Sequence, residues 1–383
     1  MGATSSTASS MLVTVVIGTR PELIKMAPVI KAIRETDSME LRFVHTGQHY
    51  DTELSGSFIR TLGLPEPDVR LGVGSGSQAE QTGEALVALE ADIEATSPDV
   101  VLAQGDTNAV LSAALAVSKL DADFGHVEAG IRSFDDEMPE EVNRVVADRV
   151  ADFLFAPTMD AAQNLTEEGI TENVHVTGNT VVDACREHSK VAHETSDVLD
   201  RLDLTPDEYV AATVHRARNT DDDDRLRTVL TALDDVPFPV ILPAHPRTQA
   251  AVDRIGFDAS GSLALVDPLD YLDFLELLSN ARVVVTDSGG VQEEASILEV
   301  PCLTVRPNTE RPETVDAGVN ELVTPETVGD RLRAVYRDEH DEMVGATDLF
   351  GDGRAGERIV ELLRTAGEDD QDAARRSLEQ PPN

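Results

Sequence analysis

Carboxylates follow apolar segments in the first half of the chain and are the residues best suited to proton transfer. Asp106 comes directly after VVLAQG, Glu128 comes after FGHV, and Glu140 opens PEEVNRVVADR, which also carries Arg144. A carboxylate can take a proton from a substrate, or return one, when it lies within hydrogen-bonding reach of the reacting atom. Acidic residues also cap helices and cover surfaces, and in so acidic a chain that interpretation stays open.

A glycine-rich turn in the second half of the chain is typical of a diphosphate site. Ser288, Gly289 and Gly290 follow the apolar segment VVVT and Asp287, and they open a helical pattern. A hydroxyl and unpaired N–H groups at the start of a helix can donate to phosphate oxygens, aided by the positive end of the helix dipole. Glu294, further along this helix, can accept both hydroxyls of a ribose. The alternative is an ordinary turn followed by a solvated acidic turn of helix.

Basic side chains follow other predicted strands of the same half. His215 and Arg216 close YVAATV, His245 follows VILPA, and Arg306 and Arg311 follow LTV. Histidines at neighbouring strand ends can donate to phosphate oxygens, and arginine binds such oxygens in bidentate geometry. A lone histidine is more often structural, so the pair predicts a diphosphate clamp better than either one.

The first predicted strand ends in a possible seat for a phosphate. Gly18 lets the backbone approach an anion, and Pro21 suits the first turn of the helix that follows. Lys25 lies one turn further on, where a functional role and a solvated surface role are equally open. Neither GxGxxG nor GxxxxGK[ST] occurs, which disfavours an ordinary dinucleotide site or P-loop.

The elements that must position these residues form two series of strands and helices. Short apolar runs followed by amphipathic segments are typical of parallel sheets buried on both faces. We therefore predict an α/β fold of two Rossmann-like, doubly wound domains that face each other across a crevice. The predicted strands are 12–17, 41–44, 100–103 and 153–156 in the first series, and 209–214, 240–242, 263–266, 283–286 and 303–305 in the second.

Stretches without a strand pattern suggest the domain boundaries. A polar, acidic stretch near residues 180–206 predicts a linker between an N-terminal domain over 11–180 and a C-terminal domain over 181–366. The carboxylates fall in the first domain and the clamp in the second. Residues 1–10 are small and polar, and residues 367–383 are charged without apolar periodicity, so we expect both ends to be disordered.

The charge balance excludes some classes of protein. With 72 acidic and 31 basic residues the formal charge is −41, and the basic residues include only four lysines, which is typical of a protein from an extreme halophile. The chain lacks the basic stripe that nucleic-acid binding needs. It also lacks a membrane-spanning apolar run and a secretion signal, so we expect a cytoplasmic protein without a membrane partner. Two widely separated cysteines disfavour a metal site.

The motifs, in order along the chain, resemble those of the UDP-N-acetylglucosamine 2-epimerases. Matching segments span roughly residues 11–325, and together they are far more specific than any one of them. The family has the two-domain GT-B fold, which agrees with the two predicted series of strands. The segments are GTRPELIKMAPV, TGQHYD, QGDTNAV, HVEAGIRS, PEEVNR, VTGNTVVD, PAHPR, DPLDYLDFLELL, TDSGGVQEEA and NTERPETV.

The resemblance implies roles for residues at matching positions. The residues that match the catalytic cluster are Lys25, Asp106, Glu128, Glu140 and Arg144, with His215 alongside. Those that match the diphosphate ligands are Arg20, His215, Ser288, Gly289, Gly290 and Arg311. Glu294 matches the residue that holds the ribose, and Phe274 matches the residue that packs near uracil. His245 and Arg306 are further candidates for the UDP site from their places at strand ends.

Two departures from the family pattern limit what is carried over. The usual HRREN appears as HRARN over residues 215–219, so any role of the missing glutamate is not assigned. The stretch after Gln48 and His49 also differs from bacterial members that use a second UDP-sugar as an allosteric activator, and allostery is not carried over.

Similar enzymes remove the C2 proton as UDP leaves anti to it, form 2-acetamidoglucal, and return UDP and a proton on the other face of C2. The resemblance thus implies UDP-N-acetylglucosamine and UDP as ligands, no NAD or metal cofactor, a homodimer, and a role in supplying surface-polysaccharide or glycan precursors. The alternatives are a hydrolysing epimerase that releases N-acetylmannosamine, an epimerase for a diacetamido or more oxidised UDP-sugar, a GT-B glycosyltransferase, and a non-catalytic nucleotide-sugar binder. The last two would share the clamp without needing three carboxylates.

Overall fold

Two parallel sheets organise the chain, one in each of two units. The computed structural model describes residues 10–47, 58–135, 137–337 and 348–379, with side chains as far as residue 367. Unit 1 consists of residues 1–184 and 350–383, and unit 2 of residues 185–349. The predicted α/β class with two sheet-based domains is confirmed.

Unit 1 contains a seven-stranded parallel sheet in the order β3-β2-β1-β4-β5-β6-β7. Its central strands are apolar along most of their length and lie buried, because helices cover both faces of a doubly wound sheet. The strands are β1 (Met11–Ile17), β2 (Met39–His45), β3 (Val69–Arg70), β4 (Val100–Gln104), β5 (Asp123–Val127), β6 (Phe153–Ala156) and β7 (Val174–Val176). The helices are α1 (Arg20–Arg34), α2 (Gln78–Thr96), α3 (Asn108–Val117), α4 (Pro139–Val150), α5 (Met159–Glu167), the first residues of α6 (Thr180–Thr195), and the last helix of the chain.

Unit 2 contains a six-stranded parallel sheet in the order β10-β9-β8-β11-β12-β13. Relative to its own first strand this order is 3-2-1-4-5-6, the arrangement of a dinucleotide-binding sheet. The strands are β8 (Val210–Thr213), β9 (Val240–Pro243), β10 (Leu263–Val266), β11 (Val283–Thr286), β12 (Cys302–Thr304) and β13 (Asn320–Leu322). The helices after α6 are α7 (Val198–Arg201), α8 (Ala217–Thr220), α9 (Asp223–Asp234), α10 (Pro246–Ile255), α11 (Tyr271–Ser279), α12 (Gly289–Ile297), α13 (Pro312–Asp316) and α14 (Val328–Tyr336).

Each of the nine predicted segments lies on a strand, apart from small differences at the ends. β5 is not among the nine, although FGHV was noted as an apolar segment before Glu128, and the strands missed at the sheet edges are β3, β7 and β13, which have only two or three residues. So short a segment carries no readable hydrophobic period. None of the helices in the described ranges is long and apolar enough to cross a membrane.

The domain boundaries differ from the prediction in two places. The first unit ends at Ala184, inside α6, and the expected linker over 180–206 is mostly helical. The segment 350–366, expected in the C-terminal domain, belongs to unit 1. The cause is a long-range cap, because the Asp183 carboxylate accepts hydrogen bonds from the backbone N–H groups of Ala355 (3.2 Å) and Gly356 (2.9 Å).

The C-terminal end was expected to be disordered from residue 367, and the structure instead continues a helix, α15 (Ala355–Glu379). Its first half buries Ile359 and Leu363 completely. Gly356 lies so close to α1 that a Cβ atom there would be 2.9 Å from the carbonyl carbon of Pro28. Eight of the twelve residues over 368–379 are of types that favour helix (Ala, Arg, Glu, Gln and Leu), and they extend a nucleated helix without needing an apolar face.

Candidate functional site

The loops after β1 and β4 leave the first sheet where its strand order reverses, the usual position of a ligand crevice in open α/β sheets. Glu22, in the first turn of α1, ties the two loops together. Its Oε2 accepts from the backbone N–H groups of Gly18 (2.9 Å) and Thr19 (2.5 Å), and its Oε1 accepts from the Thr107 hydroxyl (2.6 Å). Burial raises the pKa of Glu22 to about 7, against the opposing effect of these hydrogen bonds.

Glu128 stands directly after β5 and is held from two sides. The Lys25 ammonium lies 2.8 Å and 3.0 Å from its two carboxylate oxygens, and the Gln104 amide donates to the same carboxylate. The backbone of Glu128 is left-handed, with φ +71°, which costs a non-glycine residue about 1–3 kcal/mol. The fold therefore orients this carboxylate by a strained backbone and a partly buried cation.

Asp106, in the loop after β4, is bound by the arginine predicted beside it. Arg144 on α4 donates from Nη2 to the Asp106 carboxylate, and its Nη1 lies 3.2 Å from Glu141. The neighbouring Asn143 amide donates to the Asp106 backbone carbonyl at 2.9 Å. A third of the Asp106 side chain remains exposed, so its carboxylate can reach a ligand.

Glu140 behaves differently from the other two candidate acids. It is half-buried in the first turn of α4, and among the described residues it has no hydrogen-bond or ion-pair partner. The next residue, Glu141, is buried and accepts from the Ser133 N–H (2.9 Å) and hydroxyl (2.8 Å). Of these adjacent glutamates, Glu141 therefore holds the chain at Ser133, whereas Glu140 remains available to contact a ligand.

In unit 2 the sheet order reverses between β8 and β11, and Asp287 occupies the turn after β11. This fully buried carboxylate accepts from the backbone N–H groups of His215 (3.1 Å) and Arg216 (3.0 Å) and from the Asn219 amide (2.9 Å). The His215 ring nitrogen Nδ1 lies 3.1 Å from the same carboxylate. Burial raises the pKa of Asp287, but the hydrogen bonds and charge of its partners lower it overall.

The start of α12 matches the predicted diphosphate seat. Ser288 is the N-cap, and the Gly289 and Gly290 that follow have no left-handed φ. A Cβ added to either glycine would meet no protein atom closer than 3.9 Å. Neither backbone conformation nor internal packing therefore requires glycine here, whereas close approach of a ligand to the backbone would.

The two arginines of the predicted clamp are each bound to an acid of unit 2. Arg306 is largely buried and donates from both terminal nitrogens to Glu310, at 2.7 Å and 2.8 Å. Burial raises the pKa of Glu310, yet the Arg306 pair brings it down to about 2. Arg311 donates from Nε to the fully buried Glu293 at 2.5 Å.

The remaining predicted ligand residues differ in how far they are exposed to solvent. His245 is exposed at the start of α10, and partial burial together with the nearby His215 and Arg247 lowers its pKa. Phe274 is half-buried on α11. Arg20 in unit 1 is exposed, with its guanidinium 5.5 Å from the centre of the Phe58 ring.

Glu294 on α12 is buried and has an aromatic neighbour. The Glu294 carboxylate lies near the hydroxyl of Tyr271, the first residue of α11. Burial, helped by the charge of Glu294, raises the pKa of the Tyr271 hydroxyl well above its usual range, so it stays a donor. A carboxylate in this position can present its oxygen lone pairs to a pair of vicinal hydroxyls.

The structure thus brings together Lys25 with Glu128, and Asp106 with Arg144. It places His215 beside the turn that carries Ser288. Gln48 and His49, which bear on allostery, lie outside the described residues.

Sequence reasoning missed three buried groups that organise these sites: Glu22, His126 and Asp287. Each lies inside a quoted motif, within two residues of a residue that was selected. The available signal for His126 and Asp287 was a histidine or charged residue at or near the end of an apolar strand, where a solvated position is improbable.

Comparisons with known proteins show which family the chain matches. Residues 31–364 match the sequence profile of a family described as UDP-N-acetylglucosamine 2-epimerase. A UDP-N-acetylglucosamine 2-epimerase of Methanocaldococcus jannaschii is 41% identical over 375 residues, covering 92% of this chain and 99% of the relative. A UDP-2,3-diacetamido-2,3-dideoxy-D-glucuronate 2-epimerase of Pseudomonas aeruginosa is 38% identical over 366 residues, with the same two coverages.

Solved structures of similar proteins agree. The UDP-GlcNAc 2-epimerase of Methanocaldococcus jannaschii in complex with UDP-GlcNAc and UDP matches with a TM-score of 0.82 at 42% identity, covering 93% of this chain and 100% of the other. The UDP-GlcNAc 2-epimerase of Neisseria meningitidis bound to UDP-GlcNAc matches with a TM-score of 0.85 at 31% identity and the same coverages. The predicted GT-B type of two-domain fold is thereby confirmed.

Proposed function

Because the chain belongs to the UDP-N-acetylglucosamine 2-epimerase family, we propose that it interconverts UDP-N-acetylglucosamine and UDP-N-acetylmannosamine without releasing the free sugar. In this proposal UDP is eliminated and added back through 2-acetamidoglucal, with no NAD or metal cofactor. The enzyme would act in the cytoplasm and supply precursors for surface polysaccharides or glycans.

The observation that carries the proposal is the pair of cation-bound carboxylates at the ends of adjacent strands in unit 1. Glu128 is ion-paired with Lys25 and Asp106 with Arg144. A nucleotide-sugar binder or a glycosyltransferase needs the clamp of unit 2 but has no need of two such acids. Proton transfer on either face of a sugar carbon does need them.

The chemistry assigns a separate task to each unit. A carboxylate of unit 1 takes the C2 proton, the C–H electron pair becomes the C1–C2 double bond, and the C1–O bond breaks as UDP leaves with its electron pair. The Ser288 hydroxyl and the N–H groups of Gly289 and Gly290 would stabilise the charge that grows on the leaving diphosphate. Return of UDP and a proton on the opposite face of C2 completes the epimerisation.

Two alternatives share this site. A hydrolysing epimerase would capture the intermediate with water and release N-acetylmannosamine. The Pseudomonas aeruginosa relative is named for a diacetamido glucuronate, so a related UDP-sugar is the other alternative.

One experiment separates these possibilities. The protein is incubated with UDP-N-acetylglucosamine in D2O with EDTA, and proton NMR follows the products. We expect UDP-N-acetylmannosamine carrying deuterium at C2, because a carboxylate can exchange its proton with solvent before reprotonation. Free N-acetylmannosamine would indicate the hydrolysing enzyme, no turnover would favour another UDP-sugar or a binder, and a fully retained C2 hydrogen or loss of activity on chelation would contradict the mechanism.

We also propose that the enzyme is a homodimer, built on unit 1. A groove of about 570 Å³ between α2, α3 and α4 is lined mainly by uncharged residues, including Leu86, Leu111 and Val142. Val87 and Val142 leave 63% and 53% of their surface exposed. An apolar surface of this kind is unusual on so acidic a chain and is typical of an interface.

A further inference from the structure

His126 is a completely buried histidine on β5, two residues before Glu128. Its Nδ1 lies 2.6 Å from the Asp148 carboxylate on α4, and its Nε2 lies 2.8 Å from the Gly105 backbone carbonyl. Nothing in the proposed mechanism uses it so far. Both contacts are short, and the second leads to Gly105, the residue before the candidate catalytic acid Asp106.

The two partners decide the protonation of the ring. The Gly105 carbonyl can only accept, so Nε2 must carry a proton. Asp148 also accepts from Arg132 (2.7 Å) and from the Gly130 N–H (3.1 Å), and because an arginine partner keeps a carboxylate ionised, the proton between Asp148 and His126 belongs on Nδ1. A ring that donates from both nitrogens is an imidazolium cation.

The charges packed around His126 are consistent with that state. Burial lowers the pKa of His126, but the charge and hydrogen bond of Asp148, the Gly105 carbonyl and the charge of Glu128 raise it overall. Asp148 is itself compensated by Arg132, which also binds Glu168 through two nitrogens, at 2.6 Å and 2.8 Å. The pKa of Asp148 is correspondingly lowered despite its burial.

The Gly105 carbonyl is the acceptor that links this cation to the site. Gly105 has a left-handed φ of +84°, and its N–H donates to Val127 at 3.0 Å. Both polar groups of its backbone are therefore bound to β5, one by the strand and one by the imidazolium. Asp106 is the next residue, so the position of its carboxylate depends on these two hydrogen bonds of Gly105.

We propose that His126 is a positioning residue that is an imidazolium at neutral pH, which fixes the Gly105–Asp106 loop for proton transfer and places a positive charge near Glu128. This role rests on the proposed function, because it matters only if Asp106 and Glu128 act on a substrate. It assigns His126 no contact with the sugar.

The first test reads the charge without any activity. Long-range nitrogen–proton NMR of histidine side chains, at pH 7 and 8 in high salt, should show one imidazolium with both nitrogens protonated. The signal is assigned to His126 by its disappearance in His126→Gln. A matched control is His193→Gln, whose side chain is 80% exposed and only 3.4 Å from Glu276, and which should leave the imidazolium signal in place. A neutral tautomer of His126 at pH 7 would overturn the proposal, whichever substrate the enzyme acts on.

The second test measures the consequence. His126→Gln should lower kcat about 100-fold, the size of effect expected when a catalytic group is misplaced by about 1 Å, and should leave the Kd for UDP unchanged. We expect the kcat of the native enzyme to fall at high pH as His126 loses its proton, and Asp148→Asn, which removes the main counter-charge, should move that fall to lower pH. A kcat for His126→Gln within threefold of the native value would overturn the positioning role. If His126→Gln does not fold, Asp148→Asn decides, because an unshifted pH profile also contradicts the proposal.

Discussion

Substitutions of single residues in the two units should change different quantities, kcat in unit 1 and the affinity for UDP in unit 2. Asp106→Asn keeps the shape of the side chain and its contact with Arg144, but an amide cannot take a proton. We expect kcat to fall about 10²- to 10⁴-fold with the Kd for UDP unchanged. Ser288→Ala should instead weaken UDP by about 1 kcal/mol, roughly fivefold, because one donor to the diphosphate is lost.

Calorimetry with UDP and a rate assay on the same preparations check this separation. Asp92→Asn is a matched control for Asp106→Asn, since Asp92 also binds an arginine, Arg42, through its carboxylate but lies on α2. Loss of UDP affinity in Asp106→Asn equal to that in Ser288→Ala would contradict the assignment. Arg311→Ala is a poorer test than Ser288→Ala, because it would leave the buried Glu293 without its arginine partner.

Glu22 should give the native protein a distinctive dependence of stability on pH. Its pKa in the folded protein is raised from 4.5 to about 7, so between these values the folded state binds more protons than the unfolded state. The free energy of unfolding therefore falls as pH rises from 4.5 to 7, by about 3 kcal/mol for this group, and the contribution is fully present only below 4.5.

Glu22→Gln removes this titration. Denaturant unfolding at several pH values in high salt should give a flatter dependence over pH 4.5–7 for Glu22→Gln than for the native protein. Glu80→Gln serves as a control, because Glu80 takes the same place in the capping box of α2 but is solvated. Parallel curves for native protein and Glu22→Gln would refute the raised pKa.

Sequence reasoning found the charged groups at strand ends and missed the groups that hold them. Lys25 and Glu128 could be selected because their types and positions suggest chemistry. His126 and Asp287 could not, since a residue type does not reveal whether both its hydrogen-bonding groups will meet buried partners. That depends on chain segments more than twenty residues away, such as Asp148 for His126.

At the scale of elements, the start of α12 makes the clearest prediction. Gly290→Ala removes no backbone freedom that the fold uses and meets no protein atom closer than 4.0 Å. We expect the unfolding midpoint to stay the same or rise, because alanine favours a helix over glycine by up to about 1 kcal/mol. The Kd for UDP should rise about tenfold or more, since the new methyl group occupies the space of the diphosphate.

Thermal unfolding and calorimetry on one preparation of Gly290→Ala give both quantities. An unchanged UDP affinity would mean that the diphosphate does not approach this turn. A lower midpoint together with weaker binding would mean that glycine is required by the fold instead.

The groove of α2, α3 and α4 can be tested as an interface by adding one charge to it. Val142→Glu should convert a dimer into a monomer, measured by light scattering after size exclusion in high salt, because a buried unpaired carboxylate is costly. Val176→Glu is the matched control, since Val176 is 45% exposed on β7, away from the groove. A dimer that survives Val142→Glu would place the contact elsewhere.

For the whole molecule, the charge of −41 predicts a need for salt. The Debye length is about 10 Å at 0.1 M salt and about 3 Å at 1 M, so the repulsion between acidic side chains is screened only at high salt. We expect the melting temperature to fall as potassium chloride is lowered, followed by circular dichroism. A melting temperature independent of salt would contradict the prediction.

The strands of the overall fold could be predicted from the sequence, but the division of the chain into two units could be predicted only in part. Two series of apolar strands were readable because each strand of a parallel sheet is a short continuous hydrophobic run. The return of α15 to unit 1 was not readable, because it depends on the long-range cap by Asp183 and on the close contact of Gly356 with Pro28. Neither leaves a local pattern in the sequence.

That return sets an order of events during synthesis. A ribosome delivers residues 11–184 first, yet α1 meets its neighbour α15 only after residues 355–379 have emerged. Unit 2 is continuous and can finish folding while unit 1 still waits, although domains are usually completed from the N-terminus onward. Lys25 and Glu22 lie on α1, so we expect the proposed acid–base site to reach its final geometry only after α15 has been synthesised.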